Sequence, residues 1–310
     1  TEDMNGVNPT GVGVVPMNNQ NGIRMSTAIT YLGPMRHRLN LTIRGNVFVR
    51  KILTEAGQVT GVEAESGGEV FTVETDKVVL SAGALKSPHI LMLSGIGPKE
   101  QLEEFGIPVL QDAPGVGANL RNHPIAPISF RLKEGITLAP DASGVRIALR
   151  YTAKGSKEPN DMMMTTSSVF NPYTGEQLAD RIGRISCVIE LPAGAGFVKL
   201  ASSDPTVQPK FDYRYFSHTE DMRRMRDGIR LAVKLLETDA YKEVSASKVA
   251  PTEEILATDD ALDLWIRQIV GTARHVSGTC KIGPDSDPMA VVDQQCRVKG
   301  FRGLWIADSS

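Results

Sequence analysis

Two places in this chain have the residue types and spacing to do chemistry: a turn of small residues and a histidine. The turn is Ser81-Ala82-Gly83, which directly follows the apolar run Val78-Val79-Leu80. A buried strand ending in three small residues lets another backbone or a flat ligand approach its carboxyl end. Open α/β sheets hold their ligands at that end. The histidine is His275, followed by Gly278 and Thr279 near the carboxyl terminus. Neutral imidazole is the side-chain base best matched to neutral pH. A lone histidine is more often structural, and His37, His89 and His218 are read that way.

These residues need elements to position them. Val78–Leu80 reads as a central strand. Ser87-Pro88 suits a helix start, with serine as N-cap and proline in the first turn. Ile90 to Leu93 would then be buried, and Ser94-Gly95-Ile96-Gly97-Pro98 stops the helix. Upstream, Val12–Val15, Leu41–Ile43, Val47–Leu53, Val59–Glu65 and Val70–Val73 read as strands between Gly- and Asn-bearing turns. Downstream, Ile128–Leu132, Arg146–Tyr151, Met162–Val169, Ile185–Leu191 and Phe197–Ala201 alternate in the same way. Met222, Met225, Ile229, Val233 and Leu236 form one stripe of a helix over Ser217–Leu236, with Ser217 and Glu220 as its capping box. Arg223, Arg224, Arg226 and Arg230 fall mostly off that stripe and read as a solvated basic face. A second helix, capped by Thr258, carries Leu262, Trp265, Ile266 and Ile269. Leu304–Ala307 closes the chain as a strand.

Composition narrows the function classes. At 310 residues the chain can bury one or two cores, and 34 basic against 36 acidic residues give a net charge of −2, no field for nucleic acid or anionic lipid. No apolar run reaches the ~18 residues of a membrane span. Cys187, Cys280 and Cys296 are an odd, widely spaced set without a CxxC pair, which speaks against a disulfide framework or zinc site. The expected setting is a reducing cytoplasm. A serine hydrolase is disfavoured because GxSxG occurs nowhere. The start TEDMNG has no initiator methionine and reads as cut from something longer.

Several motifs then converge. GALKSPHILMLSGIG (Gly83 to Gly97) resembles the second signature of the glucose–methanol–choline (GMC) flavoprotein oxidoreductases, and PGVGANLRNHP (Pro114 to Pro124) follows as in that family. NGIRMSTAITYL, NLTIRGNVFVRKIL, GFVKLASSDP and the terminal HVSGTCKIG…VVD…RVKGFRGLWIADSS match further family segments in the expected order. The resemblance implies an α/β fold: an FAD/NAD(P)-binding Rossmann-like domain, incomplete here, plus an antiparallel-sheet substrate domain. It implies residues 1–124 and 266–310 on the FAD side, with 125–265 forming the substrate domain. Ser81, Ala82 and Gly83 would contact FAD, and Val49 would present its main chain to the adenine. Ala307 and Asp308 would lie by the pyrophosphate or ribityl chain. Because a carboxylate repels phosphate, the Asp308 backbone amide would make that contact. His275 takes the place of the family's catalytic histidine, and His123 would brace a turn near the flavin.

The function implied is oxidation of the CH–OH group of an alcohol, choline-type or another primary alcohol, by hydride transfer to flavin N5 with a histidine base. The partners would be a small alcohol and an electron acceptor: oxygen, a quinone or a redox protein. A flavin-containing hydroxynitrile lyase, or a non-catalytic fragment that does not hold FAD, are the alternatives. The family's N-terminal GxGxxG unit has no counterpart in the sequence, and its second active-site His or Asn is expected beyond Ser310.

Overall fold

The structure, a computed structural model, describes residues 1–136, 145–167 and 181–310. The chain divides into two compact units, each built from three stretches. The first comprises Thr1–Leu41, His123–Ala193 and His218–Ala273; the second comprises Thr42–Asn122, Gly194–Ser217 and Arg274–Ser310.

In chain order, β1 (Gly11–Val14) is followed by a meander of β2 (Phe48–Glu55), β3 (Gln58–Ser66) and β4 (Glu69–Glu74). Then come β5 (Val78–Leu80), α1 (Gly83–Leu93) and α2 (Lys99–Glu104). Next are β6 (Pro124–Leu132), β7 (Ile147–Tyr151), β8 (Met162–Ser167) and β9 (Ile182–Ile189). A short pair, β10 (Phe197–Lys199) and β11 (Lys210–Asp212), precedes α3 (Thr219–Leu236) and α4 (Asp239–Val244). The last elements are β12 (Ser245–Ala250), α5 (Asp259–Ile269), β13 (Gly271–Thr272) and β14 (Leu304–Ile306).

The first unit is an antiparallel sheet in the order β1-β7-β8-β9-β6-β12, with β13 also paired to β6. Pro124 to Phe130 alternate buried and half-buried, the period of a strand with one face on a core. The helix α3 packs on β9, β6 and β8, and α5 packs on α3. The expected stripe Met222, Met225, Ile229, Val233 and Leu236 is buried there, together with Met162 and Met164. Residues 168–169 of the expected strand Met162–Val169 lie outside the described residues. The Thr258 hydroxyl caps α5 by accepting from Ala261 N–H at 3.2 Å.

Two expectations for α3 are corrected. Its N-cap is His218, whose Nδ1 accepts from Glu220 N–H at 3.3 Å, because the chain turns one residue later than the Ser217 pattern implies. The basic face is not uniformly solvated either. The Arg224 guanidinium is buried between Asp161 (2.7 Å) and Asp221 (2.5 Å) and also donates to the Leu191 carbonyl at 3.0 Å. Arg226 and Arg230 pair with Asp263 and Asp259.

The second unit contains the parallel pair β5–β14, with Leu304 opposite Val78 and Ile306 opposite Leu80. The meander β2-β3-β4 joins it through Val59 N–H, which donates to the Arg302 carbonyl at 3.0 Å. One core gathers Ile52, Leu80, Leu91, Met92, Leu304 and Ile306. Leu41–Ile43 is not a strand: it straddles the division between the units, and Leu41 and Ile43 stay exposed without a backbone partner strand. Thr1–Leu41 clusters with the antiparallel sheet through β1, which pairs with β7. Among the described residues no helix is long and apolar enough to cross a membrane.

Candidate cofactor and catalytic site

The site grows from the end of β5. Ser81 and Ala82 leave the strand, and Gly83 begins α1 at φ +82°, a left-handed conformation that only glycine adopts cheaply. The helix therefore starts four residues before the Ser87-Pro88 cap read from the sequence, and Pro88 lies inside it. Proline has no N–H, so the Ala84 carbonyl loses its helical donor. The Thr279 hydroxyl supplies one instead, at 2.7 Å. Ser87 is fully buried. Its Oγ accepts from Ala82 N–H at 3.1 Å and donates to Asp308 Oδ2 at 2.5 Å.

Asp308 holds this corner together. Its carboxylate also accepts from Gly83 N–H and from Ser310 N–H, each at 2.8 Å. Burial alone would push its acid up. Hydrogen bonding by Ser310, Ser87 and Gly83 outweighs that, and holds it below the ordinary carboxylate value. Ala307 N–H donates to the Leu80 carbonyl at 2.8 Å and extends the β5–β14 ladder. Ser81, Ala82, Gly83, Ala307 and Asp308 thus converge at the carboxyl ends of two parallel strands. Val49 lies on β2, an edge strand of its meander, and lines a groove of about 530 Å³ together with Ser81 and Ala82.

His275 is exposed, and its backbone N–H donates to the buried Asn122 side chain at 3.0 Å. The residues after it are stitched on both sides. Ser277 and Arg121 exchange backbone hydrogen bonds at 3.0 and 2.8 Å. Gly278 N–H donates to the Ser309 carbonyl at 2.9 Å, and Ser309 Oγ donates to the Val276 carbonyl at 3.0 Å. A side chain at Gly278 would meet the Asn119 carbonyl at 2.7 Å, on top of its φ of +84°. The histidine segment is therefore fixed to the strand end that carries Asp308. His123 belongs to the first unit, where its Nδ1 lies 3.6 Å from Glu190 and its carbonyl accepts from Ala273 N–H at 3.1 Å.

Ser87, Thr279 and Asn122 are the site residues that sequence reasoning missed. All three stand at fixed positions of the quoted motifs, but the sequence reading makes Ser87 only a helix cap and gives Thr279 and Asn122 no role of their own. A serine paired with proline inside an apolar run was the available signal.

His89, on α1, is 1% exposed, and its Nε2 has no hydrogen-bond partner among the described residues. Burial, with the Lys86 charge adding to it, lowers its pKa to about 4. The unfolded chain takes up this proton first as the pH falls below the ordinary histidine value. The contribution to stability is therefore complete above about pH 6.5 and is lost progressively down to pH 4, by at most about 3 kcal/mol. His89→Leu should flatten the pH dependence of the urea midpoint over that window, followed by Trp305 fluorescence. An unchanged slope would rule out His89 as its source.

Comparison with known proteins gives a consistent result. Two family models described as GMC oxidoreductase match residues 1–125 and 192–310. The chain is similar to an oxygen-dependent choline dehydrogenase of Photobacterium profundum, 35% identical over 335 aligned positions that take in 100% of this chain and 59% of that protein. The corresponding protein of Rhizobium rhizogenes is 36% identical over 100% of this chain and 60% of its own. The fold is similar to the crystal structure of pyridoxine 4-oxidase from Mesorbium loti, with a TM-score of 0.90 at 25% identity over 99% of this chain and 60% of that one. The chain thus spans about 60% of the length of the curated relatives it matches.

Proposed function

The chain belongs to the GMC oxidoreductase family, and on that premise we propose that the complete protein is an FAD-dependent enzyme that oxidises the CH–OH group of an alcohol. The observation that carries this reading is the convergence of Ser81, Ala82, Gly83, Ala307 and Asp308 at the ends of β5 and β14. Open α/β sheets bind ligands at that place. The residues present fit FAD. A side chain at Gly83 would meet nothing within 4 Å, so this turn leaves open space beside the strand ends. The adjoining apolar groove has a volume typical of small-ligand pockets. Residues 1–124 and 266–310 are proposed as the FAD side and 125–265 as the substrate side, although Thr1–Leu41 clusters with the antiparallel sheet and Gly194–Ser217 with the unit of the parallel pair.

In this reading the main chain of Val49 receives the adenine at the edge of β2. Ser81, Ala82 and Gly83 let the cofactor approach the strand end. The Asp308 carboxylate is already taken up by Gly83, Ser87 and Ser310. It shapes the corner, and the backbone at Ala307 and Asp308 faces the cofactor. FAD, when bound, supplies the hydride acceptor at N5. His275 takes the hydroxyl proton of the alcohol, for which a neutral imidazole in hydrogen-bond reach is suited. The electron acceptor would be oxygen, a quinone or a redox protein, and the setting would be the cytoplasm.

Primary alcohols of the choline type are the first substrates to try, since choline dehydrogenases are among the relatives. The test is anaerobic addition of the alcohol to FAD-loaded protein. Bleaching of the flavin absorbance is expected. Protein that stays colourless after FAD is added, or a flavin that no alcohol bleaches, would refute the reading. A second expectation concerns Gly83. At φ +82° a β-branched residue is strained, so Gly83→Val should distort the turn and lower FAD bound per polypeptide. Equal FAD content in variant and parent would count against Gly83 as a cofactor-contacting residue.

A further inference from the structure

Lys86 stands on α1, half-buried, and lines the same groove as Val49, Ser81 and Ala82. The rest of that wall is apolar: Val47, Phe48, Val62, Ile90 and Leu93 contribute to it. Among the described residues that line the groove, Lys86 alone carries a charge. Other lysines of the same unit find carboxylates: Lys51 on β2 lies 3.4 Å from Glu63, and Lys281 lies 2.7 Å from Asp287. For Lys86 the described residues offer no hydrogen-bond acceptor and no carboxylate within 4.0 Å. The Asp308 carboxylate is committed to Gly83 and Ser87. Burial accordingly lowers the Lys86 pKa, with no opposing charge to raise it.

A cation beside an apolar wall, partly stripped of water and without a counter-ion, is stabilised when an anion arrives. The groove around it is otherwise lined by apolar and small side chains, which suit an apolar ring. Together these features call for a ligand with a ring at one end and a negative charge at the other. We infer that Lys86 is a phosphate-binding residue of this groove, so that it selects adenosine phosphates over the bare nucleoside. This rests on the reading of the groove as the adenosine end of the cofactor site, and adds to it a side chain that recognises charge.

The experiment is calorimetric titration of the 310-residue chain with adenosine, AMP and ADP, repeated with Lys86→Met and Lys86→Arg. One charge-assisted hydrogen bond should favour ADP over adenosine by roughly ten- to a hundredfold in the parent. Lys86→Met should erase that preference and leave adenosine affinity unchanged, and Lys86→Arg should keep most of it. An undiminished ADP preference in Lys86→Met would overturn the inference. So would a parent that binds adenosine and ADP equally, and in that case the cofactor reading of the groove survives. A parent chain that binds none of the three would overturn the inference, while flavin bleaching in the complete protein tests the cofactor reading separately.

Discussion

Replacing His275 by alanine is expected to slow anaerobic flavin reduction by roughly 10²–10⁴-fold, the usual worth of a positioned base, while FAD content stays near that of the parent. The two readouts separate because His275 is held through its backbone. Its N–H meets Asn122, and the stitching of the following residues runs through Ser277, Gly278 and Ser309. Alanine keeps every one of those main-chain contacts and removes only the imidazole. Single-turnover reduction isolates the chemical step from product release. A variant that reduces its flavin within tenfold of the parent rate at every pH tried would show that the base lies elsewhere.

The largest stability effect is expected at Arg224. Arg224→Leu removes the guanidinium from between the buried carboxylates of Asp161 and Asp221, and breaking a buried pair in this way costs about 3–5 kcal/mol. Arg224→Lys should rescue little, because one ammonium cannot span two carboxylates and the Leu191 carbonyl at once. Asp161 also sets an acid limit. Burial would raise its acid, but hydrogen bonds from Ser156, Ala153 N–H and Arg224 hold it below the ordinary value. Its contribution is therefore present above the unfolded carboxylate pKa and is lost as the pH falls through the lowered one. Trp265 on α5 reports on this unit, and Trp305→Phe silences the other tryptophan. Urea unfolding should move to lower concentration in Arg224→Leu. An unchanged midpoint would mean that the cluster contributes no net stability.

What could be read from the sequence was local. That Val78–Leu80 is a strand needed only its own apolar run. Among the described residues it is not the buried central strand expected, since it pairs with β14 alone and leaves Val79 exposed. The stripe from Met222 to Leu236 needed only its helical spacing. The motifs around Gly83 and His275 were legible because fixed spacing survives in one dimension. The failures share another cause. Ser87-Pro88 obeys the local rule for a helix start, yet partners from the far end of the chain decide its role: Asp308 bonds the serine, and Thr279 satisfies the carbonyl freed by the proline. Arg224 has the right spacing for a solvated flank, and only the arrival of Asp161 explains why it is buried. Leu41–Ile43 has strand-like residues but, among the described residues, no neighbouring strand to complete it. Periodicity predicts which face is apolar; it does not say which distant polar group will come to meet it.

The pairing of β5 with β14 has a consequence for the order of events during synthesis. Val78 and Leu304 are neighbours in the sheet but emerge from the ribosome far apart in time. Until residue 306 is out, β5 lacks its partner, the Gly83 N–H has no Asp308 to meet, and the Ala84 carbonyl still awaits Thr279. Contacts of such long sequence separation form slowly, and the exposed apolar strand is a hazard while they wait. Among the described residues the antiparallel sheet takes no strand from beyond Thr272. It can close first, and the corner proposed to receive FAD is among the last parts of the described fold to exist. A nascent chain stalled before Leu304 should therefore protect β6 to β9 from proteolysis while leaving Val78–Gly83 open to it.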